Sequence, residues 1–232
     1  RKVDKLLNAE VELFGKQVEF NTEIDFSSMN KSKLKAKINF RDLKEILGIV
    51  SKQNVEKSYV EGLLNFEVSA IGYMNNLEKM DVSAIVNNFY LKQKNIILSI
   101  QYPNNKIEVS KGKVKHWNIN LGGNKHYFRS TGKGNLFLNG HVLNNFYLDA
   151  SLLELFPQIF LRSKGSLKGE GLFKITDRRV FLTYYINGVE NTLNFSGIPY
   201  TVKDLNFVIG GDFNSLTLNV NDGTLESGDI RL

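Results

Sequence analysis

Apolar and polar residues alternate one for one through stretch after stretch of this chain, and a period of two marks strands that bury one face and wet the other. NFEVSAIG aligns Phe66, Val68 and Ala70, and KMDVSAIV aligns Met80, Val82, Ala84 and Val86. IILSIQY does the same for Ile96, Leu98, Ile100 and Tyr102, and LTLNVN sets Leu216, Leu218 and Val220 against Thr217, Asn219 and Asn221. Short turn signals punctuate these runs: NN at Asn75, PNN at Pro103, GG at Gly122, NG at Asn139 and Asn187, and DG at Asp222. Such residues accept the positive φ angles of tight hairpins, so the expectation is a mainly β chain built as a long antiparallel meander.

Two segments follow a helical period instead. RDLKEILGIV places Leu43, Ile46, Leu47 and Val50 at i, i+3, i+4 and i+7, and SLLELFPQIF repeats this with Leu152, Leu155, Phe156 and Ile159. Both predict short amphipathic helices, with Asp42 and Ser151 in capping or first-turn positions and Pro157 shortening or kinking the second. EGLLNF at Glu61 to Phe66 returns as EGLFKI at Glu170 to Ile175, and the two helical segments share that offset of about 109 residues. An internal repeat is expected, with units starting near residues 23 and 132 within one continuous segment.

A one-sided sheet must cover its apolar face with a second sheet, or curl into a trough. Two short helices are too small a cover for a strand system of this length. The alternation runs on without a Pro-rich or Gly/Ser-rich linker, which favours the trough. Its apolar interior is expected to include Phe66, Val68, Ala70, Val82, Ala84 and Ile96, then Leu98, Ile100, Leu136 and Leu138, and finally Leu216, Leu218 and Val220. Each methylene moved from water onto such a surface is worth roughly 0.8 kcal/mol, so an acyl chain of about 14 carbons gains on the order of 10 kcal/mol before ordering costs.

The runs LLNFEVSAIGYMNNLEKMDVSAIVNNFYL, ASLLELFPQIFLRSKGSLKGEGLFKI and GIPYTVKDLNFVIGGDFNSLTLNVNDGTLESGDIRL resemble the strand repeats of the TamB and AsmA-like family. That resemblance implies a U-shaped sheet, the β-taco or repeating β-groove. It implies carriage of phospholipid acyl chains between inner and outer membranes in the periplasm of Gram-negative bacteria, and an inner-membrane anchor in the full-length protein. For some members it also implies an outer-membrane barrel partner of the Omp85 type. The alternation persists to the last residues, so the chain is expected to be a piece of a longer protein.

Composition bounds the alternatives. The 232 residues are 42% apolar and 23% charged, enough to build a core, and cysteine is absent, which removes thiolate metal sites, disulfides and cysteine nucleophiles. The formal charge of +6 is spread over single lysines. No apolar run approaches the roughly 18 residues of a spanning helix. His116, His126 and His141 lack metal-ligand spacing, so no metal and no cofactor is expected. GGNKHYFRSTGKGN fails as a phosphate loop because Tyr127 stands where the first glycine belongs and Gly134 follows Lys133. No G-x-S-x-G elbow occurs, and Asp212, Asp222 and Asp229 sit beside glycines as turn formers, so no enzyme is expected. SKGKVKHWN gathers Lys111, Lys113, Lys115 and Trp117, which a hairpin turn or a lipid-phosphate contact explains without nucleic acid. Two competing expectations remain: a filled β-sandwich that binds glycans or adheres through Tyr73, Tyr90, Trp117 and Tyr127, and an assembly factor for outer-membrane barrels that lends a strand edge.

Overall fold

The computed structural model describes residues 6–13, 18–25, 32–40, 60–73, 76–101, 103–136, 140–156, 159–176, 179–212, 214–227 and 230–231. The described strands form one antiparallel sheet of fifteen, ordered as they occur in the chain apart from a single doubled position. The mainly β, meandering class predicted from the alternation is what forms. Two compact units, residues 1–119 and 120–232, divide the chain.

In the first unit β1 (Leu6–Leu13), β2 (Val18–Asp25), β3 (Ser32–Phe40), β4 (Val60–Gly72) and β5 (Asp81–Gln93) pair in succession. The free side of β5 is shared by β6 (Ile96–Ile100), opposite Tyr90–Gln93, and β7 (Lys106–Ser110), opposite Asp81–Ile85. PNN at Pro103 is therefore not a hairpin turn. It interrupts one strand run: Asn104 takes φ 80°, and the Asn105 carbonyl still accepts from the Val86 N–H at 2.9 Å. β8 (Lys113–Gly122) pairs with β7 through a two-residue turn at Lys111 and Gly112, with φ 49° and 77°. The lysines of SKGKVK thus flank a tight hairpin, and Gly112 supplies the left-handed conformation at no steric cost.

Cross-strand partners share a face, so the register converts alternation into rows. Leu34, Ala70, Val82, Val109 and Val114 form one row, and Ala36, Val68, Ala84, Ile107 and Trp117 the next. Between Asn65 and Phe66 the pairing slips so that Asn87 of β5 is an extra residue, a bulge. That slip brings Phe89 and Leu91 onto the face already holding Val82, Ala84 and Val86. It also aligns Leu91 with Leu98, and Gln93 with Ile96. On the opposite face Lys35 meets Glu67 at 3.9 Å, a solvated pair worth about 0–1 kcal/mol.

In the second unit β9 (Tyr127–Gly134), β10 (Val142–Asp149), β11 (Phe160–Thr176), β12 (Arg179–Phe195), β13 (Tyr200–Asp212) and β14 (Leu216–Ser227) follow in order, and β15 (Ile230–Arg231) pairs with the end of β14. GG at Gly122 does precede a hairpin, closed by the Gly123 N–H on the His126 carbonyl at 2.8 Å. NG at Asn187 and DG at Asp222 are not turns. Both lie inside long strands, β12 and β14. Gly188 sits there because the Phe207 ring of β13 occupies its Cβ position. Asp222 pairs with Asn206, whose side-chain amide donates to its carboxylate at 2.5 Å.

Asp212 does form a turn. Its Oδ1 accepts from the Asn214 N–H at 2.7 Å, the Ser215 N–H at 2.8 Å and the Ser215 hydroxyl at 3.0 Å. The Asn214 backbone bond first, then the Ser215 hydroxyl, hold this carboxyl below the usual carboxylate range. A folded-state pKa lowered in this way adds stability that is present above the unfolded value and is lost as pH falls through the folded one. Asp212→Asn should therefore flatten the acid limb of the melting-temperature profile, measurable by calorimetry between mild acid and neutrality.

Of the two predicted amphipathic helices, residues 41–50 lie outside the described residues. The second is shorter and tighter than predicted. A 3-10 helix spans only Ala150–Leu155, and the chain re-enters a strand at Phe160. Its cap is Asp149, not Ser151. The last two residues of the apparent helical period, Phe156 and Ile159, lie between the helix and the strand.

Candidate functional site

Register places the apolar residues of the second unit in two rows that cross five strands. Phe146, Gly169, Ile186, Ile209 and Leu218 are successive partners from β10 to β14, as are Leu148, Leu167, Gly188, Phe207 and Val220. A third row, Asn144, Gly171, Tyr184, Gly211 and Leu216, is smaller and more polar, and Asn144 donates to the Ser130 hydroxyl at 2.8 Å. Where a row of large side chains has a glycine, a ring fills the gap.

A line of bulges crosses the same face at one level. β12 carries one extra residue, seen against β11 between Lys164 and Ser166 and against β13 between Gly188 and Asn191, and β13 carries one against β14 between Lys203 and Asn206. Glu190 and Asp204, both at φ 51°, lie within these slips. Asn191, fully buried, ties β12 to β11 through its amide on the Ser166 carbonyl at 3.3 Å, and the Asn206 side-chain oxygen accepts from the Glu190 N–H at 2.9 Å. Each bulge adds one residue, which reverses the alternation beyond it and bends the strand. Leu193 and Phe195 therefore join the face of Ile186, although their numbering has the opposite parity.

The 3-10 helix lies on this face. Ala150 is fully buried against Leu167 and Phe207, with Leu153, Leu205 and Ile209 packed around them. Polar bonds from β11 hold it: Ser163 donates its hydroxyl to the Ala150 carbonyl at 2.7 Å, and its N–H to Glu154 Oε1 at 2.9 Å. Asp149 Oδ1 accepts from the Ser151 N–H at 2.9 Å and from its hydroxyl at 2.5 Å, and the Ser151 oxygen lies 2.5 Å from His126 Nδ1. Histidine, serine and aspartate are thus together, but in the wrong order for a nucleophile. The hydroxyl proton points to the carboxylate and the imidazole donates, so nothing withdraws a proton from Ser151. The cluster is a helix cap, and Asp149→Ala should cost about 1 kcal/mol, read as a lowered melting temperature.

Between helix and rows lies a pocket of about 360 Å³ with an exclusively apolar wall. Phe146, Leu148, Leu167 and Ile186 form part of its floor, and Leu153 of the helix, Phe160, Phe195, Leu218 and Val220 complete its lining. Phe160 and Phe195 are packed ring on ring, 5.4 Å between centroids. Leu218 and Val220 are 55% and 57% exposed, so the apolar surface continues from the pocket into solvent.

Of the residues predicted to line a trough, only Leu218 and Val220 border this pocket; Leu216 adjoins them, 68% exposed. Phe66, Val68, Ala70, Val82, Ala84, Ile96, Leu98 and Ile100 share one face of the first unit, where Ile96 and Leu98 are buried to 2% and 4% exposure. Leu136 lies in the bend after β9 and not in a strand, and Leu138 is outside the described residues. The bend follows from Gly134, at φ 132°, whose Cβ position is taken by the His141 carbonyl. Sequence reasoning missed the pocket's floor because glycines at 169 and 188 interrupt the apolar count, and the bulges invert the phase after them.

The other candidates resolve as follows. His116 stands within β8 opposite Glu108, with a buried Nε2 that has no partner. Of the four aromatics expected to face a glycan, only Tyr127 is exposed, and its ring is stacked on Tyr147 at 5.6 Å. No group of metal-binding side chains occurs among the described residues, and no described helix is long and apolar enough to cross a membrane. Comparison with protein families, with curated proteins and with solved structures finds no match to this chain.

Proposed function

We propose that this chain is a lipid-carrying segment of a TamB or AsmA-like β-groove protein, in which the apolar face holds phospholipid acyl chains on their way between the inner and outer membranes. The sheet is read as curling into a U-shaped groove, in the periplasm and anchored to the inner membrane in the full-length protein. An Omp85-type barrel is the proposed partner at the far membrane. The observation that carries the reading is the exclusively apolar pocket of about 360 Å³ that runs out onto exposed Leu218 and Val220. Such a volume is in the range of small-ligand sites, and a site without one polar lining atom selects hydrocarbon. The neighbouring bulges of β12 and β13 support curvature, since bulges bend strands and increase their twist.

Transport on such a surface needs no bond-making group: a chain slides because each methylene leaving one apolar contact meets the next. Native mass spectrometry of the gently purified protein should find co-purified phospholipid. Consistent absence of lipid, with no uptake from phosphatidylethanolamine and phosphatidylglycerol vesicles, would reject the proposal.

A further inference from the structure

The pocket's depth has a specific origin in two glycine and phenylalanine pairs. Gly169 of β11 is the direct cross-strand partner of Phe146, and Gly188 of β12 is the direct partner of Phe207. At Gly169 the space of a Cβ is filled by the outer edge of the Phe146 ring, its Cζ and both Cε atoms. At Gly188 the Phe207 Cε1 and Cζ would stand 2.5 and 2.6 Å from a Cβ. Neither glycine is there for its backbone, because neither has a left-handed φ. A ring whose edge sits over a bare Cα leans along the sheet. A Cβ beneath it would push the ring up, off the sheet and into the space above.

Gly171 supplies the contrast within the same strand and on the same face. A Cβ there would make only ordinary contacts, 3.7 Å to Phe173 and 3.8 Å to Leu182. The row of Gly171 does not line the pocket, whereas Phe146 and Phe207 both do.

We propose that Gly169 and Gly188 are specificity-determining residues: by letting Phe146 and Phe207 lie down on the sheet, they set the depth of the pocket and so the length of acyl chain it takes. This rests on the reading of the pocket as an acyl-chain site. A raised ring excludes methylenes, and each one excluded weakens binding about fourfold.

The test uses the whole chain, cis-parinaric acid as fluorescent probe, and displacement by laurate, palmitate and stearate. Gly169→Ala should weaken parinarate binding roughly fifteenfold, the equivalent of about two methylenes. It should cost stearate more than laurate, while Gly171→Ala binds as wild type. Adding Phe146→Leu to Gly169→Ala should restore binding, since the shorter side chain clears the new methyl. A folded Gly169→Ala protein with wild-type affinity and chain-length preference overturns the proposal, as does failure of the folded double variant to recover. Should Gly169→Ala not fold, Phe146→Ala alone decides: a gain for stearate over laurate supports the proposal, and an unchanged ratio overturns it. Xenon-pressurised crystals separate this from the lipid reading. If wild type binds no fatty acid but holds xenon over Phe146 that Gly169→Ala expels, the depth mechanism stands and the lipid reading falls; xenon retained in Gly169→Ala removes the depth mechanism itself.

Discussion

Leu98→Arg should yield no folded protein, whereas Leu218→Arg should fold and lose its affinity for hydrocarbon. The two leucines look alike in the sequence, each in the middle of an alternating run. Leu98 is 4% exposed, paired with Leu91 across β5 and β6, so an arginine there buries a charge without a partner. That cost is several kcal/mol, of the same order as the roughly 5–15 kcal/mol that holds a domain together. Leu218 is 55% exposed at the mouth of the apolar pocket. An arginine there keeps its guanidinium in water and lays its stem along the apolar surface, with little cost to stability. It places a solvated cation where an acyl chain must pass. Circular dichroism melts and parinarate titration of both variants check the contrast; a Leu218→Arg protein that binds hydrocarbon unchanged would show that the mouth plays no part in entry.

Phe207→Ala should be the most damaging truncation in the second unit, at about 3–5 kcal/mol. The Phe207 ring fills the Cβ space of Gly188, packs on Leu167 and the fully buried Ala150, and lines the pocket. Its loss removes three contacts at once, and glycine cannot fill the gap from the opposite strand. The 3-10 helix loses part of its seat in the same step, so hydrogen exchange at Leu152 and Leu153 should rise more than in the β13–β14 turn. Because the new cavity is apolar, saturating fatty acid should recover part of the lost melting temperature by mass action, and more in this variant than in wild type.

The strand character of this chain was legible residue by residue. Val82, Ala84 and Val86, or Leu216, Leu218 and Val220, announce a one-sided strand wherever they occur, because side chains on extended backbone alternate by geometry alone. The Lys111 and Gly112 hairpin was legible for the same local reason. The pairs at Asn187 and Asp222 carried an equally strong local signal and are strand interiors. Their glycines answer to neighbouring strands, Gly188 to the Phe207 ring and Gly223 to Leu205. The segment from Ser151 to Phe160 misled in the opposite direction, since two turns of 3-10 helix and the bend before the next strand mimic a longer helical period.

Alternation within a strand is a property of the local chain, and it alone established that this protein is a meander of strands each with an apolar side. Which of those sides meet is decided between strands. Asn87, Glu190 and Asp204 add single residues whose only signature is a slipped hydrogen-bond ladder, and each slip exchanges the faces of everything beyond it. Leu193 and Phe195 reach the pocket by that route, and Phe146 finds Gly169 only because β10 and β11 pair in one register and no other. Hydrogen bonding across the sheet chose the register, and the register made a hydrocarbon-lined pocket out of side chains that the sequence merely marked as apolar.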